Sequence, residues 1–139
     1  MIRGEVPAMT ERGPEEKEVF AFILEKVESV PHLEALLLLW NTRPKAWSEA
    51  DLARRLYVDG DAARRLLQDL VREGLISSTP DGVETYSYRS ESQAEDSMIE
   101  AVDRTYRRQI VRVSTMIHSK GSTAVRDFAR AFRFTKEKG

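Results

Sequence analysis

WSEADLARRLYVDGDAARRLLQDLVREGLISSTPDGVETYSYR, residues 47–89, changes its apolar pattern twice, and those changes decide the fold. Ser48 and Asp51 have the spacing of a capping box, and Trp47 and Leu52 occupy the two positions of a hydrophobic staple, so a helix starts here. Leu52, Ala53, Leu56 and Tyr57 recur at helical steps until Asp59-Gly60-Asp61 breaks the pattern. Asp61 is placed to cap a second helix, in which Ala63, Leu66, Leu67, Leu70 and Val71 share one side while Arg64, Arg65, Gln68 and Arg72 project elsewhere. Gly74 follows as a left-handed terminator. Leu75 and Ile76 then open an extended run, Pro80-Asp81-Gly82 turns it, and Val83, Thr85, Tyr86 and Tyr88 favour a returning strand.

Helix, tight turn, helix and hairpin in this order resemble the winged helix-turn-helix of bacterial transcription regulators, most nearly the MarR-like group. The resemblance rests on SEADLARRL, on residues 61–76 ending in LVREGLI, and on the hairpin, roughly a third of the chain. It implies a mainly α fold with a small β-hairpin, a winged helix-turn-helix core carrying long N- and C-terminal helices. It also implies that the second helix enters the major groove of double-stranded DNA, with its exposed N-terminal half on base edges and phosphates. By position that role falls on Ala62, Arg64, Arg65 and Gln68, with Arg72 further along the same helix and Arg54 and Arg55 on phosphate.

A chain of 139 residues that is 41% hydrophobic supplies one compact domain with its own core. The pattern divides it into a flexible tail over 1–14, a winged domain with N-terminal helices over 15–89, and a C-terminal helical pair over 90–139 suited to dimerisation. Cysteine is absent, which excludes disulfides, thiolate metal sites and a cysteine nucleophile and agrees with a reducing cytoplasm. Residues 1–18 have no long apolar core, and the Leu-rich run at 33–40 is far shorter than the ~20 residues of a membrane span, so a soluble protein is expected. The net charge of −1 argues against indiscriminate coating of nucleic acid. Residues 45–89 carry 7 Lys/Arg against 8 Asp/Glu, so any attraction for phosphate must be local, at Arg54-Arg55 and Arg64-Arg65.

Either side of the decisive stretch the chain reads as helix. Val19, Ile23, Val27 and Val30 fall at helical intervals with Phe20 and Phe22 alongside, an amphipathic first helix over 15–29 whose Phe20 edge could meet another subunit. Ser29-Val30-Pro31 is a boundary, and LEALLLLW at 33–40 is apolar almost all round, as a central core helix should be. Trp40 and Trp47 are expected as packing anchors. Ser90 with Gln93, or Ser92 with Glu95, can cap a helix over 91–119, which contains no Gly or Pro and would span about 43 Å. Its stripe of Ile99, Val102, Tyr106, Ile110, Val113, Met116 and Ile117 is longer than one domain needs, which predicts a second chain along part of it. A last helix carries Val125, Phe128, Ala129 and Phe132 on one face.

Catalysis finds no footing. His32 and His118 stand far apart with no carboxylate or cysteine at ligand spacing, so both are expected at the surface or at a helix cap, with no metal site. GxSxG, HExxH, phosphate-binding and dinucleotide-binding motifs are all missing, and no enzyme and no cofactor are expected. Two functions remain: a homodimeric DNA-binding transcription regulator, or a winged-helix module that binds another protein and little DNA. The second draws on the hairpin tip Pro80-Asp81-Gly82 and Glu84, which hold no Lys or Arg, and on Asp69 and Glu73 in the second helix.

Overall fold

A computed structural model describes residues 13–120. Helix α1 (Glu16–Lys26) starts where the Glu18 carboxylate accepts the Glu15 backbone N–H at 3.0 Å, and it buries Val19, Phe20, Ile23 and Leu24. Acidic Glu16 and Glu18 at its first turn and Lys26 at its last match the helix dipole. Phe20 is thus a core residue of this chain, with the Arg112 guanidinium 4.7 Å from its ring, and not an edge left for another subunit.

Helix α2 (Val30–Asn41) is capped by Ser29, whose hydroxyl accepts the His32 backbone N–H, and Pro31 sits in its first turn. Leu33, Ala35, Leu36, Leu37 and Leu39 are all buried, so the helix is covered on several sides as the middle of the domain. Both tryptophans pack. The Trp47 indole N–H donates to Thr42 Oγ1 at 3.0 Å, and Trp40 meets Tyr88 edge to face at 5.0 Å.

Strand β1 (Trp47–Ser48) leads into α3 (Glu49–Leu56), turned by Ser48, whose side chain accepts the Asp51 N–H. Two details differ from the spacing argument. Tyr57 does not join the apolar stripe: it leaves the helix with φ of +60° and is 93% exposed, because the left-handed cap rotates its side chain off the buried face. The next helix, α4 (Gly60–Arg72), is capped by Asp59 and not Asp61. Asp59 Oδ1 accepts the Ala62 N–H at 2.7 Å, which places Asp61 inside the first turn.

Helix α4 ends in a Schellman arrangement, with Gly74 N–H on Val71 O, Leu75 N–H on Leu70 O, and Gly74 at φ of +77°. Leu75 and Ile76 are buried ahead of the sheet and do not form its first strand. Strands β2 (Ser77–Asp81) and β3 (Val83–Ser87) pair antiparallel about Gly82, and β1 pairs with the other edge of β3, Trp47 opposite Tyr86. The sheet order is therefore β1-β3-β2.

Beyond the sheet, Tyr88 Oη donates to Asp96 Oδ1 at 2.7 Å and Ser90 Oγ to Asp96 Oδ2 at 2.6 Å, fixing the start of α5 (Gln93–Arg108), whose cap is Ser92. The uninterrupted helix expected to residue 119 does not form. Gln109 adopts φ −133°, ψ 50°, its N–H closing α5 on Thr105 O and its carbonyl opening α6 (Ile110–His118) on the Val113 N–H. The break folds α6 back against α1 and α2, so that Val113 and Ile117 enter the same core as Ile99, Val102 and Tyr106. Most of the long stripe is thus satisfied within the chain; Ile110, 51% exposed, and Val111, 73% exposed, stay outside. Among the described residues no helix is long and apolar enough to cross a membrane. The expected tail and last helix lie largely or wholly outside the described residues.

Candidate nucleic-acid interface

Helix α4 is held by one face and open on the other. Ala63, Leu66, Leu67 and Leu70 are buried against the core, while Asp61, Arg64, Arg65, Gln68 and Arg72 are exposed and Ala62 is half-buried. These positions follow from 100° per residue: the buried four cluster within one arc, and Arg65, Gln68 and Arg72 fall on the opposite one. Five of the seven expected DNA-contacting residues therefore come together on one helix.

The arginines differ in what they already hold. Arg64 stands at the flank facing α3, with Nε 3.4 Å from Glu49 Oε1 and a guanidinium nitrogen 3.9 Å from Asp61. Arg72 donates to Asp69 Oδ1 at 2.8 Å. On α3, Arg54 pairs with Asp51, and Arg55 turns to a different side, where it lines an open cleft of about 490 Å³ with Glu34, Tyr57, Tyr106 and Arg107. Arg55 thus does not extend the face made by Arg65, Gln68 and Arg72.

The hairpin beside α4 has no Lys or Arg between residues 77 and 88. Glu84 is exposed, and Tyr86 Oη donates to Glu49 Oε2 at 3.5 Å. Burial, then the carboxylates of Glu84 and Glu49, push the Tyr86 hydroxyl up to about 12, so it stays a donor at neutral pH. Glu49 consequently meets Arg64 of α4 with one oxygen and Tyr86 of β3 with the other.

The other flank of α4 carries a contact that spacing did not reveal. His32, expected at the surface or as a cap, is 9% exposed. Its Nε2 lies 2.8 Å from Asp69 Oδ2 and 3.9 Å from Glu28 Oε1, and its Nδ1 lies 2.6 Å from Ser29 Oγ. Two carboxylates therefore do stand beside it: Glu28 four residues earlier, brought close by the bend before α2, and Asp69 from α4. The hydrogen bond from His32, stronger than the opposing effect of burial and joined by Arg72, holds the Asp69 carboxyl below the usual carboxylate range. His118 is exposed at the end of α6, as expected.

No family model matches the chain, and no curated protein matches it. Among solved structures, it is similar to a MarR family transcriptional regulator from Streptomyces coelicolor, at a TM-score of 0.52 and 18% identity over 87% of this chain and 84% of that one. A second similar structure is RV1404 from Mycobacterium tuberculosis, at a TM-score of 0.48 and 21% identity over 99% of this chain and 96% of that one. The first likeness shows the fold: a mainly helical, MarR-like winged helix with a small antiparallel sheet.

Proposed function

We propose that this chain is a transcription regulator that binds double-stranded DNA as a homodimer in the cytoplasm, reads the major groove with α4, and has no catalytic role. The observation that carries the reading is the outer face of α4, where Arg65, Gln68 and Arg72 project from a helix anchored by four buried apolar residues. Side chains so placed reach base edges and phosphates without disturbing the core that presents them. Ala62 at the first turn allows close approach of the backbone, Arg64 adds charge beside it, and Arg54 and Arg55 supply phosphate contacts at a distance. The similar solved structure described as a MarR family transcriptional regulator supports the same use of the fold. For the dimer we assign residues 90–139, with exposed Ile110 and Val111 as the apolar part of the contact within the described residues. Two reading helices would then address half-sites about one DNA turn apart, ~34 Å, or a multiple of it.

Titration of the full chain onto random duplex DNA across a salt series tests this reading. Binding that weakens as salt rises is expected, since phosphate contacts release counterions. No binding at low salt would overturn it and favour a module that docks on another protein. The specific observation behind that second reading is the hairpin, acidic where phosphate would pass, together with the pairing of Arg64 to Glu49. Sedimentation tests the dimer: a monomer at micromolar concentration would remove it.

A further inference from the structure

We propose that Glu28, His32 and Asp69 form a binding site for one divalent transition-metal ion of the zinc class, which ties the junction of α1 and α2 and the first turn of α2 to the C-terminal part of α4. One ligand atom from each residue, Glu28 Oε1, His32 Nε2 and Asp69 Oδ2, lies within 4.8 Å of the other two. Ligands on a tetrahedral zinc, at about 2.0–2.2 Å from the metal, stand roughly 3.4 Å from one another. The observed separations from His32 Nε2, 2.8 and 3.9 Å, bracket that value, so small side-chain adjustments suffice. An imidazole with two carboxylates suits zinc and its first-row neighbours, whereas magnesium and calcium take oxygen alone.

The surroundings are arranged as ligands require. Ser29 Oγ, 2.6 Å from Nδ1, can accept the proton there and leave the Nε2 lone pair for the metal, the outer contact that orients a ligating histidine. Arg72 occupies Asp69 Oδ1 at 2.8 Å, which leaves Oδ2 turned toward His32 Nε2. A cavity of about 350 Å³, lined by the three residues with Val58, Ala62 and Arg65, gives access and room for water as the fourth ligand. Arg65 in its lining and Arg72 on Asp69 offset part of the charge of the two carboxylates. The proposal does not depend on α4 reading DNA.

The test uses the metal-stripped full chain, titrated with zinc by calorimetry and with cobalt by visible absorption. One ion per chain and the intense bands of four-coordinate cobalt are expected, with a thermal midpoint that rises with zinc. Glu28→Gln, His32→Gln and Asp69→Asn should each weaken binding about tenfold or more, and His118→Ala should leave it unchanged. Glu28 is exposed, so its variant keeps the fold even where the His32 variant does not. Absence of saturable binding, wild-type affinity in Glu28→Gln or Asp69→Asn, or loss of binding with His118→Ala would overturn the site and leave His32 and Asp69 as a hydrogen-bonded pair.

Discussion

Helix α4 and the pair α5–α6 carry the same kind of signal, apolar residues at three- and four-residue steps, yet fold differently. In α4 the stripe from Ala63 to Leu70 matches the depth of the core, and capping by Asp59 and Gly74 closes the helix where the stripe stops. In α5–α6 the stripe runs on past what a straight helix could lay against one domain. The chain resolves this by turning at Gln109, so that Val113 and Ile117 return to the core. Periodicity identifies the face of a helix; it says nothing of whether the axis continues.

Substitutions along the two stripes sharpen this contrast. Leu67→Ala in α4 and Ile117→Ala in α6 should each cost ~2–5 kcal/mol in urea unfolding, because both side chains are almost wholly buried and leave cavities. An Ile117 variant as stable as wild type would break the comparison, since it would show that α6 does not pack in the monomer. Next in size is the double variant Arg64→Glu, Arg65→Glu. It should remove measurable DNA binding while costing under about 1 kcal/mol of stability, because the pairs of Arg64 are exposed. Full DNA affinity in this variant would show that α4 is not the reading helix.

A smaller effect is expected from Asp69→Asn, measured as stability against pH without metal. The Asp69 carboxyl is held below its ordinary value, so its contribution is complete above that value and is lost as pH falls through the lowered one. The wild type should therefore lead the variant from neutrality down to about pH 4, with the gap closing on further acidification. A gap that widens in acid would contradict the placement of Asp69 beside His32. Smallest of all, Ile110→Ala should change monomer stability by no more than about 0.5 kcal/mol, since its side chain lies outside the core. A cost like that of Ile117 would mean that the helix does not turn at Gln109.

What was legible in the sequence was local. Ser48 with Asp51, Trp47 with Leu52, the Ala63–Leu70 stripe and Gly74 each state their structure within a few residues, and the fold of the helix-turn-helix follows from them. The turn at Gln109 has no glycine or proline to announce it; it is imposed by the packing of α6 on α1 and α2, tied further by Gln109 Nε2 on Glu16 Oε2 at 2.7 Å. His32 and Asp69 meet across 37 residues, through the crossing of α2 and α4, which no spacing rule contains. Spacing puts Arg64, Arg65 and Arg72 off the apolar side of α4 but does not give the partner of Arg64: Glu49 lies 15 residues from it, at the start of another helix.

The order of the sheet has a mechanical consequence. Strand β1 grips β3 only at Thr85 and Tyr86, whereas β2 follows it from Ser87 to Val83. The hairpin is therefore clamped on both sides at its base and free on one side at its tip, like a cantilever fixed at Tyr86. Bending and twisting should gather at residues 81–84, because a two-stranded ribbon twists more readily than a sheet held at both edges. Backbone amides at the root should exchange with solvent slowly and those at the tip fast, so the tip can tilt to suit the curvature of whatever surface lies beneath it while the root keeps its bearing on α3.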